Sequence, residues 1–271
     1  MNNKLIKIMS LLIVLCTVVG LCACGKNQNE DDIKTTNRPV TVSTDLTKTV
    51  KPTDKNVVAV APEGEEAILR YYNGSLRLFR ANAYDFVKKE TCTLASCSAG
   101  SLNSVGGATD SYRKALRNAL GDMMGVSSLE STYFAGDDVT EAFGLRELAA
   151  ENISEMKASA EGSNVTLEFV IKKNSPDGGD AISLLTRDFM TNERFNAKIS
   201  DYDASSTGAS VKISNVRLKT VIDYSTRNFV DVEISYSTSF YMSNLNLAYV
   251  SGGPVNASTK NTIKYTDFKE N

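Results

Sequence analysis

The stretch Asn228-Phe-Val-Asp-Val-Glu-Ile-Ser-Tyr-Ser-Thr-Ser-Phe-Tyr-Met-Ser-Asn-Leu-Asn-Leu-Ala-Tyr-Val250 decides how the chain folds. Val230, Val232, Ile234, Tyr236, Thr238, Phe240 and Met242 recur at every second position, with mostly polar residues between them. Successive side chains of a strand point to opposite sides, so a period of two predicts a long strand with one buried face. The apolar phase then moves to Leu245, Leu247 and Tyr249, which predicts a bulge or corner near Ser243-Asn244. Two more long strand patterns flank this one, at 209–223 and 255–268. The connections 224–227 and Ser251-Gly252-Gly253-Pro254 are short enough for hairpins, so the three strands are expected to form an antiparallel meander. Its opposite face is rich in Ser, Thr, Asp and Lys and suits water.

Upstream, Val165, Leu167, Phe169 and Ile171 alternate in the same way, followed by a turn at 174–179 and short helical patterns across 182–199. Before Gly162 the period changes. Ile68, Tyr72, Phe79, Ala83, Phe86 and Val87 recur at three- and four-residue steps, with Glu63, Glu65 and Glu66 at the start and Lys88 and Lys89 near the end. That polarity suits a helix dipole. Asn73-Gly74 inside this pattern lacks the flanking alternation of a hairpin and predicts a costly interior glycine or a kink. A second helix is predicted over 110–124, ending at Gly125. A third is predicted over 140–156, with Leu145, Leu148, Ala149, Ile153 and Met156 inward. A Gly/Ser-rich loop, 97–109, separates the first two. The fold class expected from these patterns is α+β: N-terminal amphipathic helices packed on one face of a long-stranded antiparallel sheet. The body would be one domain over 63–271, mainly helical over 63–162 and mainly strands over 163–271.

The 271 residues include no His and no Trp, and 30 Lys+Arg oppose 32 Asp+Glu. Without histidine no His-based triad, HExxH zinc site or Cys/His finger can be built. A net charge of −2 argues against a phosphate-neutralising nucleic-acid partner.

At the amino terminus Lys4 and Lys7 precede an apolar run, 8–20, broken only by Ser10 and Thr17. Such a basic and then short apolar segment reads as a secretory leader, being shorter than a comfortable membrane span. It ends in Leu21-Cys22-Ala23-Cys24 followed by Gly25. This tetrapeptide resembles the lipobox of bacterial lipoproteins, in which an aliphatic residue, a small one and Ala or Gly precede an obligatory cysteine. The resemblance covers the first 25 residues. It implies that 1–23 is a signal peptide and that Cys24 becomes the mature first residue, thioether-linked to diacylglycerol. Two acyl chains suffice for stable anchoring, which would hold the body at a membrane on the extracytoplasmic side. From 25 to 62 the chain is polar, with Pro39, Pro52 and Pro62 and little bulk, and with Cys24 it reads as a disordered tether. The order of lipidated cysteine, tether, helices and long-stranded sheet also resembles uncharacterised surface lipoproteins of Gram-positive bacteria. A fold-level likeness to lipoprotein carriers that curve a sheet around an apolar cavity has no motif residues to carry over.

With Cys16 and Cys22 in the leader and Cys24 lipidated, Cys92 and Cys97 remain. In an exported chain they form a candidate disulfide closing a small loop, against the alternative of two reduced thiols. Two sulfurs without histidine do not complete a zinc shell, so no metal or cofactor is expected. Ser111-Tyr-Arg-Lys114 and Ser154-Glu-Met-Lys157 fit a Ser-x-x-Lys spacing, but neither Ser-Asp-Asn nor Lys-Thr-Gly follows. Asp137, Asp138 and Glu141, then Asp177 and Asp180, then Asp201 and Asp203 form acidic groups whose turn and helix-cap positions explain them locally. Tyr71, Tyr72, Tyr84, Tyr224, Tyr236, Tyr241 and Tyr249 suit core and strand-face packing. The function expected is a membrane-anchored, non-catalytic binding module for an apolar or lipid-like ligand or an envelope protein. The alternatives are an exported hydrolase using carboxylates or a Ser/Lys pair, and a structural or adhesion module of the envelope.

Overall fold

A computed structural model describes residues 58–82, 84–99, 110–134, 142–172, 182–202, 204–247, 250–251 and 253–270. All of these lie in the compact unit Thr49–Asn271. That unit carries both core clusters described below, which is what a domain needs to fold by itself. In chain order its elements are α1 (Glu65–Ala81), β1 (Tyr84–Ser98), α2 (Asp110–Met123), β2 (Ser127–Tyr133), β3 (Ile153–Glu161) and β4 (Asn164–Ile171). There follow α3 (Asn192–Ser200), β5 (Ala204–Thr207), β6 (Ser210–Asp223), β7 (Phe229–Met242), β8 (Asn244–Leu247), β9 (Val250–Ser251) and β10 (Val255–Glu270).

The strand order is β2-β1-β10-β7-β6-β4-β3 in a seven-stranded sheet, with β5-β8-β9 forming a small second one. Every neighbouring pair in the large sheet is antiparallel. The expected strands at 209–223 and 255–268 are present as β6 and β10. Chain direction changes at Ser243, where β7 ends and β8 crosses to the second sheet, as the phase shift there predicts. At the start of β7 the inward residue is Phe229, whereas Val230 is exposed. A register irregularity between Val221 and Ile222 of β6 accompanies that offset.

The α+β fold class, with a mainly helical first half, is overturned. Of the described residues 51% are strand and 25% helix, and three of the seven sheet strands come from the segment expected to be helical. The first predicted helix stops at Ala81. Tyr84, Phe86, Lys88 and Glu90 then alternate inward along β1, so Phe86 and Val87 belong to a period of two that the helical spacing also happens to fit. The predicted third helix does not form: one 3₁₀ turn at Ala150–Asn152 leads into β3. Leu145 and Leu148 are buried there in an extended segment whose backbone bonds to α1 side chains. Tyr72 Oη donates to the Arg146 carbonyl (3.2 Å), Arg80 to that of Leu145 (2.6 Å), and Asn73 both donates to and accepts from the Leu148 backbone (2.9 and 3.0 Å). Tertiary partners thus take the place of the intrahelical bonds that local propensity favours. The Asn73-Gly74 pair is absorbed into a continuous α1, and Asn73 is this clamp.

The helices cover one face of the large sheet. At one end of β7, Ile68, Tyr72, Leu76 and Phe79 of α1 pack with Phe169, Phe229, Ile234 and Tyr265. Phe79 lies at the centre of an aromatic cluster, its ring centroid 4.2 Å from Phe143 and 5.0 Å from Tyr84. At the other end, Leu116, Leu120 and Met123 of α2 and Phe195 and Ile199 of α3 pack on Val211, Phe240, Met242 and Val255. The opposite face is polar and carries surface ion pairs such as Lys264–Glu233 (2.8 Å). The ordered body begins ahead of Glu63: Ala59 is buried in the first cluster, and its amide donates to the Gly162 carbonyl at 2.9 Å. The rest of the expected tether and the expected signal peptide, 1–57, lie outside the described residues.

Candidate functional site

The two apolar clusters occupy the same face of the sheet but do not merge. Between them runs a polar belt built by strand register. Cys92 of β1 faces Asn261 of β10, which faces Tyr236 of β7; in the next row Leu94, Thr259 and Thr238 face one another likewise. Directly opposed residues share a face, so these side chains line up under the helices. Thr238 and Thr259 are buried, and Asn261 Nδ2 donates to both of their hydroxyls, at 3.0 and 3.1 Å. Polar groups at this position need partners, because each one buried without a hydrogen bond costs roughly 1–3 kcal/mol.

Above the belt is an open cleft of about 450 Å³. Its walls are Met124 and Gly125 after α2, Phe189 and Met190 before α3, and Arg194, Ala197 and Lys198 along α3. Cys92, Tyr236, Asn261 and Ile263 contribute from the sheet. Gly125 has φ +78°, and a Cβ there would meet Met190 Cε at 3.2 Å, so a side chain would both strain the backbone and crowd the wall.

A charged group closes one end. Lys88, 6% exposed, holds its Nζ 2.6 Å from Glu90 and 3.1 Å from Asp188. The Asp188 contact is a directed hydrogen bond, whereas the closer Glu90 approach is an ion pair without hydrogen-bond direction, its Oε1 buried. Burial alone would lower the Lys88 pKa, but the carboxylates of Glu90 and Asp188 outweigh it and raise the ammonium above its ordinary value. Burial pushes the Cys92 thiol up despite an opposing contact from the Thr259 hydroxyl. It pushes the Tyr236 phenol up as well, helped by Cys92, Glu90 and Asp188 and opposed by Arg194. At neutral pH the amine is therefore charged, and the thiol and phenol are protonated.

Few residues singled out in the sequence meet here. Cys92 lines the cleft, Cys97 packs on the second apolar cluster, and both are free. The candidate Cys92–Cys97 bridge is corrected by geometry. Five residues along one extended strand separate their Cα atoms by roughly 15 Å, against about 7 Å at most for a disulfide. Ser154 and Lys157 sit on β3, three residues apart on a strand, and Ser154 Oγ donates to the Val170 carbonyl instead. Ser111 and Lys114 share α2, where Lys114 is exposed and the Ser111 side chain is outside the described residues. Asp201 reaches the cleft rim. Asp137, Asp138, Glu141, Asp177, Asp180, Asp203, Tyr249 and Cys24 lie outside the described residues. Tyr71, Tyr72 and Tyr84 are in the core, while Tyr241 is exposed.

Among the described residues no group of three or more His, Cys, Asp or Glu is placed to hold a metal ion. No helix among them is long and apolar enough to cross a membrane. No family model, curated protein or solved structure matches the chain.

Asp188 and Asn261 were not singled out in the sequence, and Lys88 was read there only as the basic end of a helix, whereas it lies on β1. One signal was present: in the inward series Val255, Ala257, Thr259, Asn261, Ile263, Tyr265 two polar residues interrupt an apolar face, and Thr238 does the same in β7. Such an interruption at matching depth in two strands marks a polar belt.

Proposed function

We propose that this protein is a lipid-anchored binding module, held on the extracytoplasmic side of a membrane through Cys24, whose cleft above the polar belt takes a small amphipathic ligand. The cleft carries the reading. Its volume of about 450 Å³ falls in the range of roughly 300–1,000 Å³ that small-molecule sites occupy. It also pairs apolar walls with a few convergent polar groups, the usual make-up of such sites. The anchoring half rests on Leu21-Cys22-Ala23-Cys24 after a basic and apolar leader. Charge states favour holding a ligand over transforming it. A protonated thiol is a poor nucleophile, and neither a charged Lys88 nor a neutral Tyr236 is poised as a base.

Native mass spectrometry of the protein purified from its own host tests the ligand. A co-purifying small molecule is expected, and it should be lost when Ala197, exposed on the wall of the cleft, is replaced by Trp to fill the space. A ligand retained by Ala197→Trp, or none at all, would remove the cleft from consideration. Metabolic labelling with palmitate, abolished by Cys24→Ser, tests the anchor separately.

A further inference from the structure

We infer that the cleft selects a net-neutral amphiphile with a hydroxyl-bearing head, an alkyl glycoside or polyol in chemical class, and rejects both ionic amphiphiles and bare hydrocarbon. The inference rests on the cleft being a ligand site and adds what it recognises.

Three observations meet. First, two polar groups on the floor have no hydrogen-bond partner among the described residues. Tyr236 is 7% exposed; its hydroxyl makes no hydrogen bond to another described residue, and its electrostatic neighbours Cys92, Glu90 and Arg194 all line the cleft. Asn261 commits its Nδ2 to Thr238 and Thr259, and its Oδ1 accepts from no described residue. A hydrocarbon chain lying on this floor would strip water from both groups and return no hydrogen bond. A hydroxyl both donates and accepts, so neighbouring hydroxyls on one head can donate to Asn261 Oδ1 and exchange a hydrogen bond with Tyr236 Oη.

Second, charge is balanced. Glu90, Asp188 and Asp201 are opposed by Arg194 and Lys198 on the cleft wall and by Lys88 behind Glu90. A carboxylate laid beside Tyr236 meets the field of Glu90 and Asp188 ahead of that of Arg194, while a quaternary ammonium meets two carboxylates that Lys88 already holds, so either gives up hydration for little return. Third, Met124, Phe189 and Met190 supply a flexible apolar wall beside the polar floor, which suits a hydrocarbon portion attached to the head.

Calorimetry on the Thr49–Asn271 unit, with each amphiphile below its micelle-forming concentration, decides the matter. Octyl glucoside is expected to bind at least about tenfold more tightly than octanoate or octyltrimethylammonium, and than glucose without its chain. Tyr236→Phe, which keeps the ring and removes the hydroxyl, should weaken octyl glucoside about 3- to 10-fold and leave the ionic probes unchanged. Asn261→Ala should act in the same direction, with thermal melts confirming that both variants fold. Equal affinity for all three amphiphiles, or glucoside binding indifferent to both substitutions, would overturn the head-group assignment and leave the cleft a ligand site. Glucose binding as tightly as its octyl derivative would overturn the amphiphile. Absence of binding by every probe would overturn the assignment, while the co-purification test of the cleft would stand by itself.

Discussion

Replacing Lys88 by Met removes a cation from the covered face of the sheet while keeping most of its aliphatic volume. Lys88 is 6% exposed, and its Nζ lies 2.6 Å from Glu90 and 3.1 Å from Asp188. Breaking a fully buried pair by deleting one partner costs about 3–5 kcal/mol, because the other charge is left without compensation. Here the abandoned carboxylates keep some water: the Glu90 side chain is 30% exposed and that of Asp188 58%. The expected loss is therefore smaller, about 2–3 kcal/mol, most of it from Glu90, whose Oε1 is buried. Urea denaturation of the Thr49–Asn271 unit at pH 7 measures it. The double substitution Lys88→Met, Glu90→Leu should recover most of the loss, because an apolar pair of similar volume replaces a buried ion pair at little net cost. Asp188→Asn should cost less than about 1 kcal/mol, as for an exposed pair.

The alkaline limb carries a further signature of Lys88. Its folded pKa is raised, so its contribution is complete below the unfolded lysine value of about 10.4 and is lost as pH climbs through the folded value. Buried Tyr72, Tyr236 and Tyr265, also raised, destabilise the fold in the same range as the unfolded phenols ionise above about pH 10. Lys88→Met should therefore make the alkaline decline shallower without abolishing it. A loss below about 0.5 kcal/mol at pH 7, or a double variant no better than the single one, would refute the assignment of a buried, energetically coupled pair.

Asp223→Ala should destabilise the β6–β7 hairpin by about 1–2 kcal/mol, since Asp223 Oδ1 accepts from the amides and hydroxyls of both Ser225 and Thr226. Burial opposes ionisation of Asp223, but those hydrogen bonds prevail and hold its pKa down. Its contribution is thus complete above about pH 3.9 and fades as pH falls through the lower folded value, which acid titration of the variant against the parent would show. Asn73→Ala should release the 145–149 segment from α1, speeding hydrogen exchange at the Leu148 amide while the amides of β7 keep their protection; equal exchange in both proteins would refute the clamp. Two thiols should titrate in the denatured, unreduced Thr49–Asn271 unit. In the folded protein, alkylation of Cys92 should need a more alkaline pH than a free cysteine does, because burial raises its pKa.

Legibility followed the range of the interactions. The long strands of the second half could be read because each carries its own alternation, and β6, β7 and β10 lie close to where that alternation places them. The acidic first turn of α1 and the glycine after α2 were equally local signals. The end of α1 was not legible, since Phe86 and Val87 satisfy both periods and only pairing of β1 with β2 and β10 selects the strand. Leu145 and Leu148 have helical spacing, yet their segment is extended because Tyr72, Asn73 and Arg80, more than 60 positions earlier, supply its hydrogen bonds.

Side-chain chemistry and periodicity along the chain thus specify the one-sided long strands, the want of histidine and the basic and then apolar run that precedes Cys24, because these depend on near neighbours alone. Assembly of the cleft does not follow from them. Cys92, Asn261 and Tyr236 are brought into one row by register between the first, last and seventh strands of the fold, and Asp188 reaches Lys88 across 100 positions. Register and docking of that kind are set by how whole faces pack together, a sum over distant contacts that no local window of residues contains.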